Sequence, residues 1–416
     1  MASDFPDLSE QGPPPTPEAL AQREAFRLVM SSEGQTLLAE LSARPIAESD
    51  EVRVLTKYRA SYAPALVNAV FAQVKLRLRA RAKFSRADQM YFTADGLEQA
   101  STERMAMYHG TVLHAFGDIF DLCSGIGGDL IGLAQRHAVM AVDIDPVHSH
   151  MGVLNAGAYG VANRVQPLVG DVEMLDLYPG AELPTRVAFF VDPARRAGGR
   201  RMSGGESQPS LEWCFSLAQN DAAVAVKAWP AIPLDRPPTD WGIEFVSEGR
   251  ELKEALLVSP ALNRPARRAT VLLPDVRSLD AAPGDDIAVR APGEYLLDPD
   301  AAVTRAGLVE DLARALDGDV WKIDNEVAFL SSREPLRTPF GRTLKIAASL
   351  PWNLNRLKEA LRSLDIGSVD IRKRGSAVDV DDIQRRLKLT GTLPATVVLT
   401  RVVDKPWAFV CTSDVG

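Results

Sequence analysis

A chain of 416 residues is longer than one hydrophobic core usually organises and suits two or three domains. Hydrophobic residues make up 46% and charged residues 25%, which excludes a disordered or fibrous chain. The formal net charge of −8 argues against indiscriminate adhesion to nucleic acid but is compatible with a local basic groove.

Residues 1–18 are acidic and proline-rich, lack the apolar segment of a secretory signal and read as a disordered tail. No later run approaches the roughly 18 apolar residues a membrane span needs, so a cytoplasmic protein with no membrane partner is expected. Apolar residues then recur at three- and four-residue steps, and residues 19–110 read as a helical region. Within it, KLRLRARAKFSR (Lys75–Arg86) carries six basic residues in twelve. These read either as a solvated helix whose stems cover apolar neighbours or as a phosphate-contacting surface.

Between 111 and 275 short apolar runs alternate with amphipathic helices: DIFDLCS, GGDLIGLAQRH, AVMAVDI, PVHSHMGVLNAGAYG, RVAFFVDP and AAVAVKAWP. This alternation predicts an α/β fold with a doubly wound, Rossmann-like, largely parallel sheet. The His148-x-His150 pair has no further ligand near it and reads as surface histidines ahead of a metal site, and the three cysteines fit no zinc spacing. No metal is therefore expected. Residues 276–335 read as a connecting segment and 336–416 as a small α+β domain, with alternation at Leu344, Ile346, Ala348 and Leu350 and a closing hairpin around Asp404 to Pro406.

The most informative stretch is DLCSGIGGD, Asp121 to Asp129. A buried strand ends in a glycine turn, and Gly125, Gly127 and Gly128 let the backbone pass close to a ligand. The following strand ends in VDID, where Asp143 is in register to accept both ribose hydroxyls and Asp145 lies one step into the loop. The third glycine of a dinucleotide fingerprint is replaced by Leu130, and no GKS/T follows, so neither a dinucleotide site nor a P-loop fits. S-adenosylmethionine suits the pattern better, with its amino acid end over the turn and Asp171, at the next strand end, near the adenine. A turn that merely packs strand on helix is the alternative.

The region FDLCSGIGGDLIGLA…VMAVDIDP…RVQPLVGD…AFFVDPARR resembles class I S-adenosylmethionine-dependent methyltransferases, and among them the trimethylguanosine synthase branch of RNA guanine-N2 methyltransferases. QMYFTADGLEQAS resembles the segment beside the cofactor there, and residues 340–412 resemble a THUMP-like domain. The resemblance implies a cofactor site built from Phe92, Thr93, Asp121, Cys123, Gly125, Gly127, Asp143, Ile144 and Asp171. Thr93 before Gly96 also reads as a helix cap.

The resemblance further implies that the loop after the fourth strand, Asp192-Pro193-Ala194-Arg195, holds an acceptor amine. Asp192 would accept its N–H bonds, Pro193 would stiffen the turn, and the Pro193 and Ala194 carbonyls are further candidate acceptors. The sequence departs from the family where an aromatic residue would stack on the base. Arg195 stands there and is given a positioning role, and Arg196 opens a basic glycine loop. Lys227 and Trp229 follow the next strand as candidate substrate contacts, with packing the alternative for Trp229. Arg372 and Arg374 are candidate RNA contacts in the C-terminal domain.

The implied activity is methylation of an exocyclic amine, with guanine N2 the leading choice, in a structured RNA such as tRNA or rRNA. A protein or small-molecule amine methyltransferase, and a silent RNA-binding protein retaining the cofactor fold, remain open.

Overall fold

A computed structural model describes residues 16–43, 48–175, 187–194, 196–197, 200–201, 207–219, 222–376 and 378–414. The chain forms two compact units, Met1–Ala228 with Val258–Asn263, and Trp229–Leu257 with Arg264–Gly416.

The first unit opens with helices α1 (Pro17–Met30), α2 (Ser32–Ser42), α3 (Glu51–Arg59), α4 (Pro64–Ala80), α5 (Ala94–Gln99) and α6 (Glu103–Val112). Thr16 caps α1 by accepting the Ala19 N–H at 3.2 Å, so helix begins within the stretch that reads as a tail. Strands β1 (Asp118–Leu122), β2 (Ala138–Asp143), β3 (Val165–Val169) and β4 (Val187–Val191) follow, with helices α7 (Gly128–Leu133) and α8 (Pro146–Ala158) between them. Two short strands, β5 (Arg196–Ala197) and β6 (Arg200–Arg201), form a ribbon, and α9 (Leu211–Ser216) leads into β7 (Ala223–Ala228). The sheet order is β7-β4-β1-β2-β3, and every pairing in it is parallel. Order therefore reverses between β1 and β4, which is where doubly wound sheets open a crevice beyond their strand ends.

The helical region and the sheet are not separate bodies. Phe26, Phe84, Met90 and Phe92 share one buried cluster with Ile126, Ile131, Val147 and Met151. Buried Asn155 stitches them, accepting the Tyr91 N–H at 2.7 Å and donating to the Tyr91 and Ile126 carbonyls at 3.0 and 2.8 Å. The helix ends at Ala80 within the basic stretch, and much of that stretch is spoken for by the same packing. Arg77 donates to the Met90 carbonyl at 2.8 Å, Arg81 pairs with Asp88, and Lys83 donates to the carbonyls of Leu97, Glu98 and Ala100 at 2.8, 3.0 and 2.7 Å.

The second unit contains β8 (Gly242–Glu248), most of β9 (Glu251–Val258), β10 (Arg267–Leu273) and β11 (Asp275–Asp280), in the order β11-β10-β8-β9. It continues with β12 (Tyr295–Pro299), α10 (Ala301–Ala306), α11 (Val309–Ala315), β13 (Val320–Lys322), β14 (Leu330–Ser332), β15 (Gly341–Pro351), α12 (Leu354–Ser363), β16 (Ile366–Lys373), α13 (Val380–Leu387), β17 (Leu393–Val402) and β18 (Lys405–Asp414). A seven-stranded sheet runs β13-β14-β12-β15-β18-β17-β16. β12 pairs antiparallel with β15, Leu296 opposite Leu344, so residues read as a connecting segment supply strands to the C-terminal sheet. The cause is burial: Leu296, Leu297 and Leu330 are fully enclosed, and Leu296 and Leu344 share a core with Phe409. The β17–β18 hairpin turns at Val403 and Asp404, both at positive φ, as a two-residue turn requires.

Candidate active site

The turn after β1 divides the work of its glycines. At Gly127 (φ 83°) an added Cβ would lie 2.8 Å from the Gly152 Cα, so this glycine lets α7 and α8 approach. At Gly125 (φ 54°) an added Cβ would meet nothing within 4 Å, and the turn there faces open space. The Gly125 N–H donates to Asp143 Oδ2 at 2.7 Å, and the Asp145 N–H donates to Asp143 Oδ1 at 2.8 Å. Asp143 thus ties the end of β2 to the glycine turn. Burial pushes its carboxyl up, against the pull of His148 and these N–H groups.

Asp145 serves differently: it caps α8 by accepting the Val147 N–H at 2.8 Å and takes Gln22 Nε2 at 3.1 Å. Ile144, between the two acids, is 59% exposed, an apolar face beside the turn. Asp171 is half-buried and accepts the Glu173 N–H at 3.0 Å. Thr93 caps α5 through the Gly96 N–H at 3.0 Å and lies 3.0 Å from His148 Nε2. Phe92 is buried, its backbone bonded to Gln73 on both sides, and acts as support for this segment. Cys123 (φ 64°) is largely enclosed, and burial pushes its thiol well above the usual range, so it offers no thiolate.

Beneath the turn, at the end of β1, Asp121 is 1% exposed and neither carboxylate oxygen has a hydrogen-bond partner. Burial first, then the carboxylates of Asp129 and Asp192, push its carboxyl well above the usual range. A buried acid without partners is costly unless something completes it. An ammonium-bearing ligand would do so, and nearby the turn at Gly125 faces open space and Ile144 is exposed. These residues fit S-adenosylmethionine, which carries an amino acid end, a ribose and an adenine.

Asp192 follows β4, its N–H donating to the Leu122 carbonyl at 3.1 Å. Its Oδ2 lies 2.5 Å from Lys227 Nζ on β7. The Lys227 ammonium also meets Asp129 Oδ2 at 2.8 Å and Ser101 Oγ at 3.0 Å. Among the described residues these are three acceptors for its N–H bonds, and the side chain is 6% exposed, so Lys227 lies buried beneath the strand ends. Asp129 Oδ1 meets His109 Nδ1 at 2.7 Å. Burial would raise the Asp129 carboxyl, but Lys227 and His109 outweigh it and hold the group well below the usual range. Pro193 is buried, and the Ala194 carbonyl accepts the Gln208 N–H at 3.0 Å, which leaves the Pro193 carbonyl the better placed of the two expected acceptors.

The strand ends thus bring Asp121, Asp192 and Lys227 together, and join Gly125 to Asp143. Asp129, His109 and Ser101 were not assigned from sequence. The available signal was a lysine in the apolar run AVAVKAWP, because a lysine in a buried strand requires carboxylate partners. Arg195 lies outside the described residues, and of Arg196 only the backbone, in β5, is described. Trp229 falls in the second unit and is half-buried. In that unit Arg372 pairs with Asp298 and Asp370 at 3.3 and 3.0 Å, while Arg374 pairs with Asp298 at 3.2 Å and lies over the Phe329 ring at 5.1 Å. Both brace the sheet they belong to. His148 is held near Thr93 and His150 packs edge-on against Phe26; among the described residues no cluster could hold a metal ion, and no helix is long and apolar enough to cross a membrane.

A parallel sheet that reverses order at a glycine turn, with an unpartnered carboxylate beneath that turn and acids at the ends of the next two strands, has the form of a class I methyltransferase. The comparisons make this specific. The chain belongs to the S-adenosylmethionine-dependent methyltransferases: it is 33% identical over 342 residues, 78% of this chain and 89% of the relative, to an uncharacterized S-adenosylmethionine-dependent methyltransferase of Mycobacterium tuberculosis, with the same match in two strains. Family models for an RNA cap guanine-N2 methyltransferase, a THUMP domain-like module and a domain of unknown function match residues 117–194, 341–413 and 22–80. A candidate methyltransferase from Porphyromonas gingivalis W83 shares the fold, with a TM-score of 0.68 at 17% identity over 96% of this chain and 98% of that one.

Proposed function

We propose that the chain methylates an exocyclic amino group of a base in structured RNA, tRNA or rRNA, with guanine N2 as the acceptor. The observation that carries this reading is Asp192: it closes β4 inside the stretch matched by the RNA cap guanine-N2 methyltransferase model, and its carboxylate is fixed by Lys227 at 2.5 Å. The THUMP domain-like match over 341–413 supports an RNA substrate.

S-adenosylmethionine, when bound, supplies an electrophilic methyl group on its sulfonium. Asp121 would take its ammonium and Asp143 its ribose, with Ile144 and Asp171 beside the adenine. The lone pair of a base amine is delocalised into the ring, so the amine must be turned before it reacts. Asp192 and the Pro193 carbonyl would accept its two N–H bonds and hold the nitrogen in line for displacement, and the proton shed as the nitrogen–methyl bond forms would pass to the Asp192 carboxylate. Pro193, buried and stiff, keeps the carbonyl in place.

Mass spectrometry of modified nucleosides from cells with and without the protein tests this reading. It predicts that one N2-methylated guanosine signal disappears with the protein. Unchanged nucleosides together with a lost methyl mark on a protein would overturn it.

A further inference from the structure

We propose that Lys227 is the positioning residue for Asp192: its ammonium, anchored by Asp129 and Ser101, sets the direction in which the Asp192 carboxylate meets an acceptor amine. This rests on the reading of Asp192 as the group that receives the amine.

The sequence places a lysine in a strand whose every residue is buried. Such a placement is costly and is tolerated only where the ammonium is fully paired. Here the pairing reaches three other pieces of the first unit. Lys227 leaves β7 and meets Asp192 after β4 at 2.5 Å, Asp129 in the first turn of α7 at 2.8 Å, and Ser101 ahead of α6 at 3.0 Å. Asp129 is held in turn by His109 of α6 at 2.7 Å, and the His109 ring lies 5.0 Å from that of Phe190, two residues before Asp192. The chain of contacts therefore starts just after β4 and ends on it. The anchor stays charged because Lys227 and His109 hold the Asp129 carboxyl well below the usual range against its burial.

Asp192 needs such an anchor. Its side chain is 29% exposed, against 6% for Lys227, and it sits where a strand gives way to a loop. A carboxylate offers about four lone-pair positions, so the contact with Lys227 directs Oδ2 without using up the group. A misplacement of about 1 Å at a reacting group can cost about 100-fold in rate.

The test is a double-mutant cycle on the full chain, using Lys227→Met, Asp192→Asn and both together. Tritiated S-adenosylmethionine and bulk RNA from cells lacking the protein supply the assay, and calorimetry gives cofactor affinity. Lys227→Met is expected to lower kcat about 10- to 100-fold while the KM for RNA and the cofactor affinity stay within about twofold. In the Asp192→Asn background the same substitution is expected to cost less than about twofold more. An equal loss in both backgrounds, or a raised KM at unchanged kcat, overturns the proposal.

Lys227→Met removes the counter-ion that Asp129 and Asp192 share, so Lys227→Met/Asp129→Asn, which deletes one charge of each sign, is measured beside it and is expected to show the same loss of kcat. A crystal structure of this variant is expected to show the Asp192 carboxylate turned from its present direction. An unchanged carboxylate overturns the proposal whatever the RNA assay shows. Failure of the wild type to methylate RNA counts against the substrate reading alone, and the crystallographic comparison then decides the role of Lys227.

Discussion

Replacing Asp121 by asparagine probes the cofactor pocket without changing its shape. In the folded chain this carboxyl is enclosed with neither oxygen partnered, and burial, reinforced by Asp129 and Asp192, pushes it well above the usual range. A carboxyl raised on folding contributes stability fully below its unfolded value of about 3.9, and that stability is lost as pH rises through the folded value. Between the unfolded and the folded value the wild type therefore loses ground to Asp121→Asn by at most about 1.4 kcal/mol per pH unit, and above the folded value the difference stays constant. Urea unfolding without cofactor, from about pH 5 to about pH 9, should give curves that diverge, with the variant the more stable at the alkaline end. Saturating S-adenosylmethionine should reverse the order, because its ammonium completes the ionised Asp121 but gains little from an amide. Calorimetry should show the variant binding at least about tenfold more weakly, the loss of one hydrogen bond to a charged group. Stability curves that stay parallel, or undiminished cofactor affinity in the variant, would refute the reasoning.

Three further predictions follow from the same packing. Asp143→Asn retains only one of the two oxygens that receive the Gly125 and Asp145 N–H groups, and calorimetry should show cofactor affinity reduced about 10- to 100-fold. Gly132→Ala would set a Cβ 1.9 Å from the Ala106 carbonyl oxygen where α6 crosses α7, and scanning calorimetry should show a loss of about 1–3 kcal/mol. Lys83→Met strips a shared donor from three carbonyls at the end of α5 and should cost about 1–3 kcal/mol in urea unfolding, while RNA affinity in a filter-binding assay is unchanged. Weakened RNA binding at unchanged stability would return that basic stretch to a phosphate-contacting role.

The glycine turn and the acids after it were legible because close backbone approach and charge at strand ends leave marks in one short stretch. The place of Asp192 directly after β4 was legible for the same reason, because an acid and a proline end the apolar run AFFV. What sequence does not carry is pairing across distance. Gly127 reads as a ligand-facing glycine, yet its conformation serves Gly152 on another helix. Lys227 reads as a substrate contact, yet its ammonium is bonded to side chains of residues 101, 129 and 192. The same limit applies to Arg374, whose basic neighbours suggest a phosphate surface but whose guanidinium lies on Phe329 and pairs with Asp298. The join between β12 and β15 was hidden because strands 45 residues or so apart announce nothing of their register locally.

The most direct measurement is methyl transfer from tritiated S-adenosylmethionine to bulk RNA by the wild type and by Asp192→Ala, followed by nucleoside analysis and paired with cofactor calorimetry. Label is expected in N2-methylguanosine with the wild type and not with Asp192→Ala, at the same cofactor affinity in both. Equal transfer by the two proteins, or label found in protein with none in RNA, would contradict this.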